Sequence, residues 1–385
     1  MSRVGIRRPA HRAKLPFLKR PPPKRSWNDR KEVSVPYPST KENSVLRLPN
    51  SVGRSTLAAV LLSGTALLCS AQAKPAVKGG MNAELTVSSL EPSVAFYQDV
   101  LGLSPPVARL SAALPGVGQL TGTVTGAVRL ARMPVPGVSW TVELVETTGV
   151  ERRPLNARRQ DIGASGLILY VRDLDVTLEA AKKAEAPIVT TGGAPVSIER
   201  KGSKSRAIVI KDPDSFFIEV RQLDPLPATK APAISNVIGA AMTVSIDDTN
   251  ATARYWKEFL DFDVKPGTFT KDKLQLALYG TPRAQIRKTI ATYPGSDVTF
   301  EFLEFKGTDR KPLNAKTQDP GSGAYALVCN DIDALTTRLK STSQTKILTI
   351  GGGPLHQGAR KAMFVQNLDG FVLEAIQPIE QPAKK

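Results

Sequence analysis

Histidine is almost missing from this chain: among 385 residues there are only His11 and His356. That scarcity excludes a metal centre built on several imidazoles and leaves no Ser-His-Asp or Cys-His set to assemble. Cysteine is as rare, with Cys69 and Cys329 alone, so no C-x-x-C zinc or redox pair exists. The glycine pairs in 190–195 (TTGGAP) and 349–354 (TIGGGP) lack the Lys-Ser/Thr of a phosphate loop and do not open a helix, so they read as turns. The apolar stretch within 55–73 falls short of the roughly 20 residues that a membrane-spanning helix needs.

What is abundant is positive charge, and it is unevenly placed. Residues 1–54 carry 14 Lys/Arg against 3 Asp/Glu, a net +11 of the formal +17, which leaves +6 for the remaining 331 residues. This Pro- and Arg-rich tail shows no apolar periodicity and is expected to be disordered. No nucleic-acid partner is expected, because the rest of the chain is only mildly basic. Arg54 leads into an apolar run that closes on Ala71-Gln72-Ala73, the pattern of a cleaved secretory signal over 55–73. The expected product is secreted or periplasmic, with no stable membrane span after cleavage; anchoring through that segment is the alternative. A signal so far from the first Met suggests a translation start near Val45 or Val52, with the basic tail a misassigned extension. Cys329 then stands alone, a buried apolar thiol, and export without disulfides suits a bacterial envelope.

Beyond the signal the chain repeats. Residues 151–163 (ERRPLNARRQDIG) and 309–321 (DRKPLNAKTQDPG) share eight of thirteen positions at an offset of 158. The copies run over 78–222 and 236–378, with a Pro/Ala linker at 223–235. Within each copy a strand–helix–strand pattern recurs: Asn82–Val87 into 90–103, Gly166–Val171 into 172–187, then 240–262 and 324–341. Apolar stripes such as Leu90, Val94, Tyr97, Leu101 and Ile332, Leu335, Leu339 have helical spacing. Ser89, Asp173 and Asp331 stand at N-cap positions. Each copy ends in two β-rich runs across a tight turn, 206–222 and 361–377.

The segments SLEPSVAFYQDVLGL, TTGGAPV and KDPDSFFIEV resemble the vicinal oxygen chelate superfamily of glyoxalase I, bleomycin-resistance proteins and extradiol dioxygenases. The resemblance covers about 300 residues. It implies an α+β fold of two tandem domains, each a pair of βαβββ modules forming a curved mixed sheet around a cavity. In metal-dependent members the first strand of each module supplies a histidine and the last a glutamate. Mapped onto this chain, those positions are Asn82, Glu143, Gly166 and Glu219 in the first copy, and Ala241, Glu301, Ala324 and Glu374 in the second. All four histidine positions are vacant while the glutamates remain.

The expected function is therefore binding of a small molecule in the cavity, without a metal cofactor and without turnover. The ligand-binding candidates are Asn82, Glu143, Glu219, Glu301 and Glu374, with Arg152 and Arg310 of the repeated loop as anion or carbonyl donors. An ordered connecting loop is the favoured role for that segment. The alternatives are a glyoxalase-type lyase or extradiol-type dioxygenase using a non-standard divalent metal, and a structural protein that pairs into a homodimer.

Overall fold

Four βαβββ units follow one another along the chain. The computed structural model describes residues 76–113, 115–123, 126–200 and 202–379. The first unit comprises β1 (Val77–Thr86), α1 (Leu90–Ala95, wound on as a π-type turn through Phe96–Val100), β2 (Ala108–Ala113), α2 (Pro115–Thr121), β3 (Ala127–Pro134) and β4 (Thr141–Thr148). The second comprises β5 (Ser165–Val171), α3 (Leu174–Lys183), β6 (Val196–Arg200), β7 (Ser203–Lys211) and β8 (Phe217–Asp224). The third comprises β9 (Val237–Ile246), α4 (Thr249–Leu260), β10 (Asp263–Pro266), α5 (Lys273–Leu278), β11 (Gln285–Thr292) and β12 (Thr299–Lys306). The fourth comprises β13 (Gly323–Cys329), α6 (Ile332–Lys340), β14 (Lys346–Ile347), β15 (Leu355–Gln357), β16 (Arg360–Gln366) and β17 (Val372–Pro378). The tail 1–54, the signal-like segment 55–73, His11 and Cys69 lie outside the described residues.

The units pair into two mixed sheets, as the resemblance implies, but the partners are not chain neighbours. One sheet runs β14-β16-β17-β13-β1-β4-β3-β2 and joins the first unit to the fourth; the other runs β10-β11-β12-β9-β5-β8-β7-β6 and joins the second to the third. The sequence copies 78–222 and 236–378 therefore do not each close a sheet, and the described residues do not separate into two bodies. The junctions are antiparallel, with Glu84 opposite Ala324 and Asn82 opposite Ala326 in one, and Thr243 opposite Gly166 and Ala241 opposite Ile168 in the other. All four units carry the same pattern, so either pairing would bury equivalent strands. The crossover loops between β4 and β5 and between β12 and β13 carry the chain from one sheet to the other.

The two copies of the repeated motif are those loops, and they clasp each other. Asp161 accepts from the amides of Arg158 (3.0 Å) and Lys311 (3.1 Å). Its counterpart Asp319 accepts from Lys316 (3.0 Å) and Arg153 (2.9 Å). Ile162 and Pro312 form a parallel bridge between the loops. Both aspartates are buried, so the four donors are satisfied out of water. This reciprocal lock explains why Pro-Leu-Asn-Ala and Gln-Asp occur in both copies.

Helix starts are built twice over in the same way. Asp173, Asp248 and Asp331 cap α3, α4 and α6. Ser89 occupies the N-cap position of α1 in extended backbone, but its hydroxyl makes no cap bond. The Leu90 amide is taken instead by Glu146 from β4 at 2.9 Å, just as the Thr249 amide is taken by Glu304 from β12 at 3.0 Å. The stripes of the helices, with one face of every central strand, make one apolar core that includes Leu90, Tyr97, Leu178, Trp256, Leu335 and the Cys329 thiol. The glycine pairs are turns, since Gly192, Gly193, Gly351 and Gly352 all have positive φ.

The closing turns differ between the copies in one informative way. Asp212 Oδ1 accepts from the amides of Asp214 and Phe216, and Asn367 Oδ1 accepts in the same manner from Asp369 and Phe371. Burial, with Asp214 adding to it, pushes the Asp212 carboxyl up to about 7 despite the bonds it accepts. A carboxyl raised in the folded state stabilises fully below its unfolded pKa of about 4, and that contribution disappears as pH rises through 7. Asp212→Asn, which copies the second turn, should keep both amide bonds and raise stability at pH 8 by about 1–3 kcal/mol. Its gain should vanish near pH 4. Urea midpoints at the two pH values check this, and an equal effect at both would refute it.

Candidate functional site

Each sheet leaves a cavity on the face opposite the shared core. The first, of about 460 Å³, is enclosed by the first and fourth units. Its walls are largely apolar, with Leu110, Leu120, Leu130, Val145, Phe364 and Phe371 among them, and its floor carries Glu84, Glu143 and Glu374 with Arg132 and Arg360. Period-two alternation places these side chains together: Asn82, Glu84 and Thr86 alternate with core residues along β1, and Glu84 is in register with Glu143 of β4. Glu374 comes from β17, two strands away, with only Ala324 and Ala326 of β13 between. Those alanines leave room for the two glutamate side chains to meet.

The floor is tightly coupled. Arg132 Nε donates to Glu143 Oε2 at 2.8 Å, and Arg360 lies 3.7 Å from Glu374 Oε1. Asn82 donates to Glu84 Oε1 at 3.1 Å, while its own Oδ1 has no partner. The Glu84 and Glu374 carboxyls face each other across β13, and each bears on the other's ionisation. Burial, then the adjacent Glu374 and Glu143 charges, raise the Glu84 carboxyl well above its usual range. Glu84 is the residue that sequence mapping missed. It lies one strand repeat from Asn82 on the same face, and only the tertiary pairing of β1 with β13 shows that it meets Glu374.

The second cavity, of about 620 Å³, belongs to the second and third units and is more polar. Here Arg221 joins both glutamates: its Nε is 2.9 Å from Glu219 Oε1 and its Nη1 is 2.7 Å from Glu301 Oε1. The Tyr279 hydroxyl donates to the other Glu219 oxygen at 3.0 Å. Burial alone would raise the Glu301 carboxyl, but Arg221 and Lys288 outweigh it and bring it down to about 2.

The eight mapped positions thus regroup. Glu143, Ala324 and Glu374 line the first cavity and Glu219 and Glu301 the second, while Asn82 lies on the first sheet and Gly166 and Ala241 on the second, outside either lining. Arg152 and Arg310 line neither. Arg152 donates to the Ser88 carbonyl at 3.2 Å, and Arg310 holds the carbonyls of Ile246 (3.0 Å) and Asp247 (3.2 Å) and the Asp247 carboxylate. They brace the chain where it leaves β1 and β9. His356 sits on β15, in neither lining.

The residues present do not fit the metal that the resemblance implies. No imidazole enters either floor, and the glutamates are engaged by guanidinium groups or by each other. At Gly166 no side chain fits at all, because a Cβ would stand 2.5 Å from the Phe217 carbonyl oxygen. Among the described residues no cluster of three or more His, Cys, Asp or Glu is arranged to hold a metal ion.

Two sheets of paired βαβββ units, each curved around an open cavity, define the architecture of a vicinal-oxygen-chelate fold. Comparison with solved structures agrees. Glyoxalase I from Zea mays matches at TM-score 0.50 and 14% identity over 78% of this chain and 92% of that chain. Two mutants of the same Zea mays enzyme match at TM-scores 0.52 and 0.51, with 14% and 16% identity, over 78% of this chain and 93% and 92% of theirs. At such identities the likeness is one of fold. No family profile matches the sequence, and no curated protein matches it.

Proposed function

We propose that this chain binds a small organic molecule in the first cavity, without a metal and without turning it over. The observation that carries this reading is the contrast within that cavity: apolar walls above the Glu84 carboxyl, which burial and the adjacent Glu374 and Glu143 raise well above its usual range. Such a site suits a ligand with an apolar body and a terminal donor group, held by Glu84 and Glu374. The metal-free character rests on the donor set, which offers no imidazole and commits Glu143 to Arg132. Export is part of the same proposal and rests on the signal-like pattern of 55–73. N-terminal sequencing of the mature protein, expected to begin just after Ala73, tests it.

Thermal-shift screening of donor-bearing organic compounds, in buffer containing chelator, tests the binding reading. A hit should lose at least about tenfold in affinity with Glu84→Gln or Glu374→Gln, the scale of one charge-assisted hydrogen bond. Binding that needs added divalent metal, or hits indifferent to both substitutions, would count against it. A second reading, an acid–base enzyme, is favoured by the raised Glu84 and Glu374 carboxyls, since carboxyls raised by burial act as general acids. Conversion of a bound hit to product, abolished by Glu84→Gln, would select that reading.

A further inference from the structure

The two cavities are built on the same frame, so their side chains can be compared position by position through strand register. Glu143 and Glu374 in the first correspond to Glu301 and Glu219 in the second. Elsewhere the charges change. Glu84 becomes Thr243, because each is the β-partner of its unit's glutamate. Leu130 becomes Lys288 and Ile376 becomes Arg221. Thr317 of the repeated loop becomes Arg159. In the opposite direction Arg132 becomes Ile290 and Arg360 becomes Ser205.

The charge balance therefore differs. Three carboxyls, with Glu84 raised well above its usual range, line the first cavity beside Arg132 and Arg360, whereas two carboxylates line the second beside Arg221 and Lys288, with a further cation behind the lining. The third cation is Arg159, which is buried and donates only to neutral oxygens: Ala164 O at 2.8 Å, Ser245 Oγ at 3.1 Å and Thr243 Oγ1 at 2.6 Å. Its guanidinium lies over the Phe217 and Tyr279 rings, outside the cavity lining, and no carboxylate is hydrogen-bonded to it, although Glu219 and Glu301 act on it through space. Burial brings this guanidinium down to about 10, so it stays charged at neutral pH. The rims do not cancel the difference. Arg109 and Lys316 edge the first cavity and Lys204 and Lys265 the second, with one of each pair held by a glutamate, Glu91 or Glu199.

We propose that the second cavity is a separate binding site for a small polar molecule carrying an oxyanion, a carboxylate or a phosphate. Lys288 reaches the anion from the wall, and Arg159 supplies positive potential from below. Ser203, Ser205, Thr268 and Gln275 on the lining serve the ligand's remaining polar groups. A buried cation without a carboxylate is costly in an empty pocket and is offset when an anion enters a water-poor site.

The test is calorimetric titration of the full chain with inorganic phosphate and with citrate, at constant ionic strength with chloride as the control. Saturable binding of at least one of them is expected. Lys288→Leu, which installs the residue of the first cavity, should weaken it at least tenfold, as should the gentler Lys288→Gln if the leucine variant fails to fold. Arg132→Ile and Glu84→Gln, in the first cavity, should leave it unchanged. The proposal is overturned by absence of saturable binding of either anion, by equal affinity in the folded Lys288 variants, or by loss of binding on Arg132→Ile. Binding of donor-bearing compounds in the first cavity is scored separately, so either site can fail alone.

Discussion

Arg221→Ala is expected to destabilise the protein by about 3–5 kcal/mol at neutral pH, the usual cost of removing one partner from a buried ion cluster. The side chain is 14% exposed and its two partners are less so, at 2% for Glu219 and 8% for Glu301. Truncation leaves two carboxylates facing each other in a cavity wall, with Lys288, 3.7 Å from Glu301, as the nearest remaining partner. The pH dependence has a definite sign. Glu301 is depressed to about 2 in the folded protein, so its stabilisation is present above the unfolded pKa near 4.5 and is lost as pH falls toward 2. The penalty of Arg221→Ala should therefore shrink below pH 4.5, where the orphaned carboxylates take up protons. The triple variant Glu219→Gln, Arg221→Ile, Glu301→Gln, which follows Ile376 of the other sheet at the arginine position, should recover most of the loss. Denaturant midpoints decide, and a loss below about 1 kcal/mol at pH 7 would mean that water already screens the cluster.

The second large effect concerns the half-chain. A protein of residues 76–224 holds the first and second units, which lie in different sheets and share no strand pairing, only side-chain contacts such as Tyr97 with Asp212. Released from the rest, β1 loses its register with β13 from Val77 to Leu85, and β5 loses β9 from Ser165 to Val171. Both are central strands, so a monomer would expose two unpaired edges. Two half-chains can repair this by exchange, with the first unit of one pairing to the second unit of the other, because both kinds of unit present the same antiparallel junction. Light scattering should find a dimer, and dilution below its dissociation constant should abolish cooperative unfolding. A monomeric half-chain with a sharp thermal transition would show that units one and two can close a sheet together.

This dependence on pairing marks the boundary of what one-dimensional pattern can carry. The four units, their helices and the tight turn after Ile210 were all legible, because they rest on local chemistry: Asp caps, period-two alternation and turn residues in fixed places. The mapped glutamates also fell at cavity floors, since strand alternation fixes which face a residue takes once the strand is known. Glu84 was passed over for a local reason. It sits beside Asn82, the mapped position, and nothing within β1 distinguishes the two. Its significance comes from Glu374, 290 residues away in the chain.

The sequence by itself determined the units, the duplication and the vacancy of every imidazole position. Only the tertiary structure decided which units share a sheet, because all four carry the same strand–helix pattern and nothing within a unit names its partner. That selection separated glutamates that lie in one sequence copy and joined others across copies. It gave one cavity a third carboxyl, Glu84, and the other Lys288 and an arginine joined to both glutamates, because the charge of a site is set by which side chains converge in space.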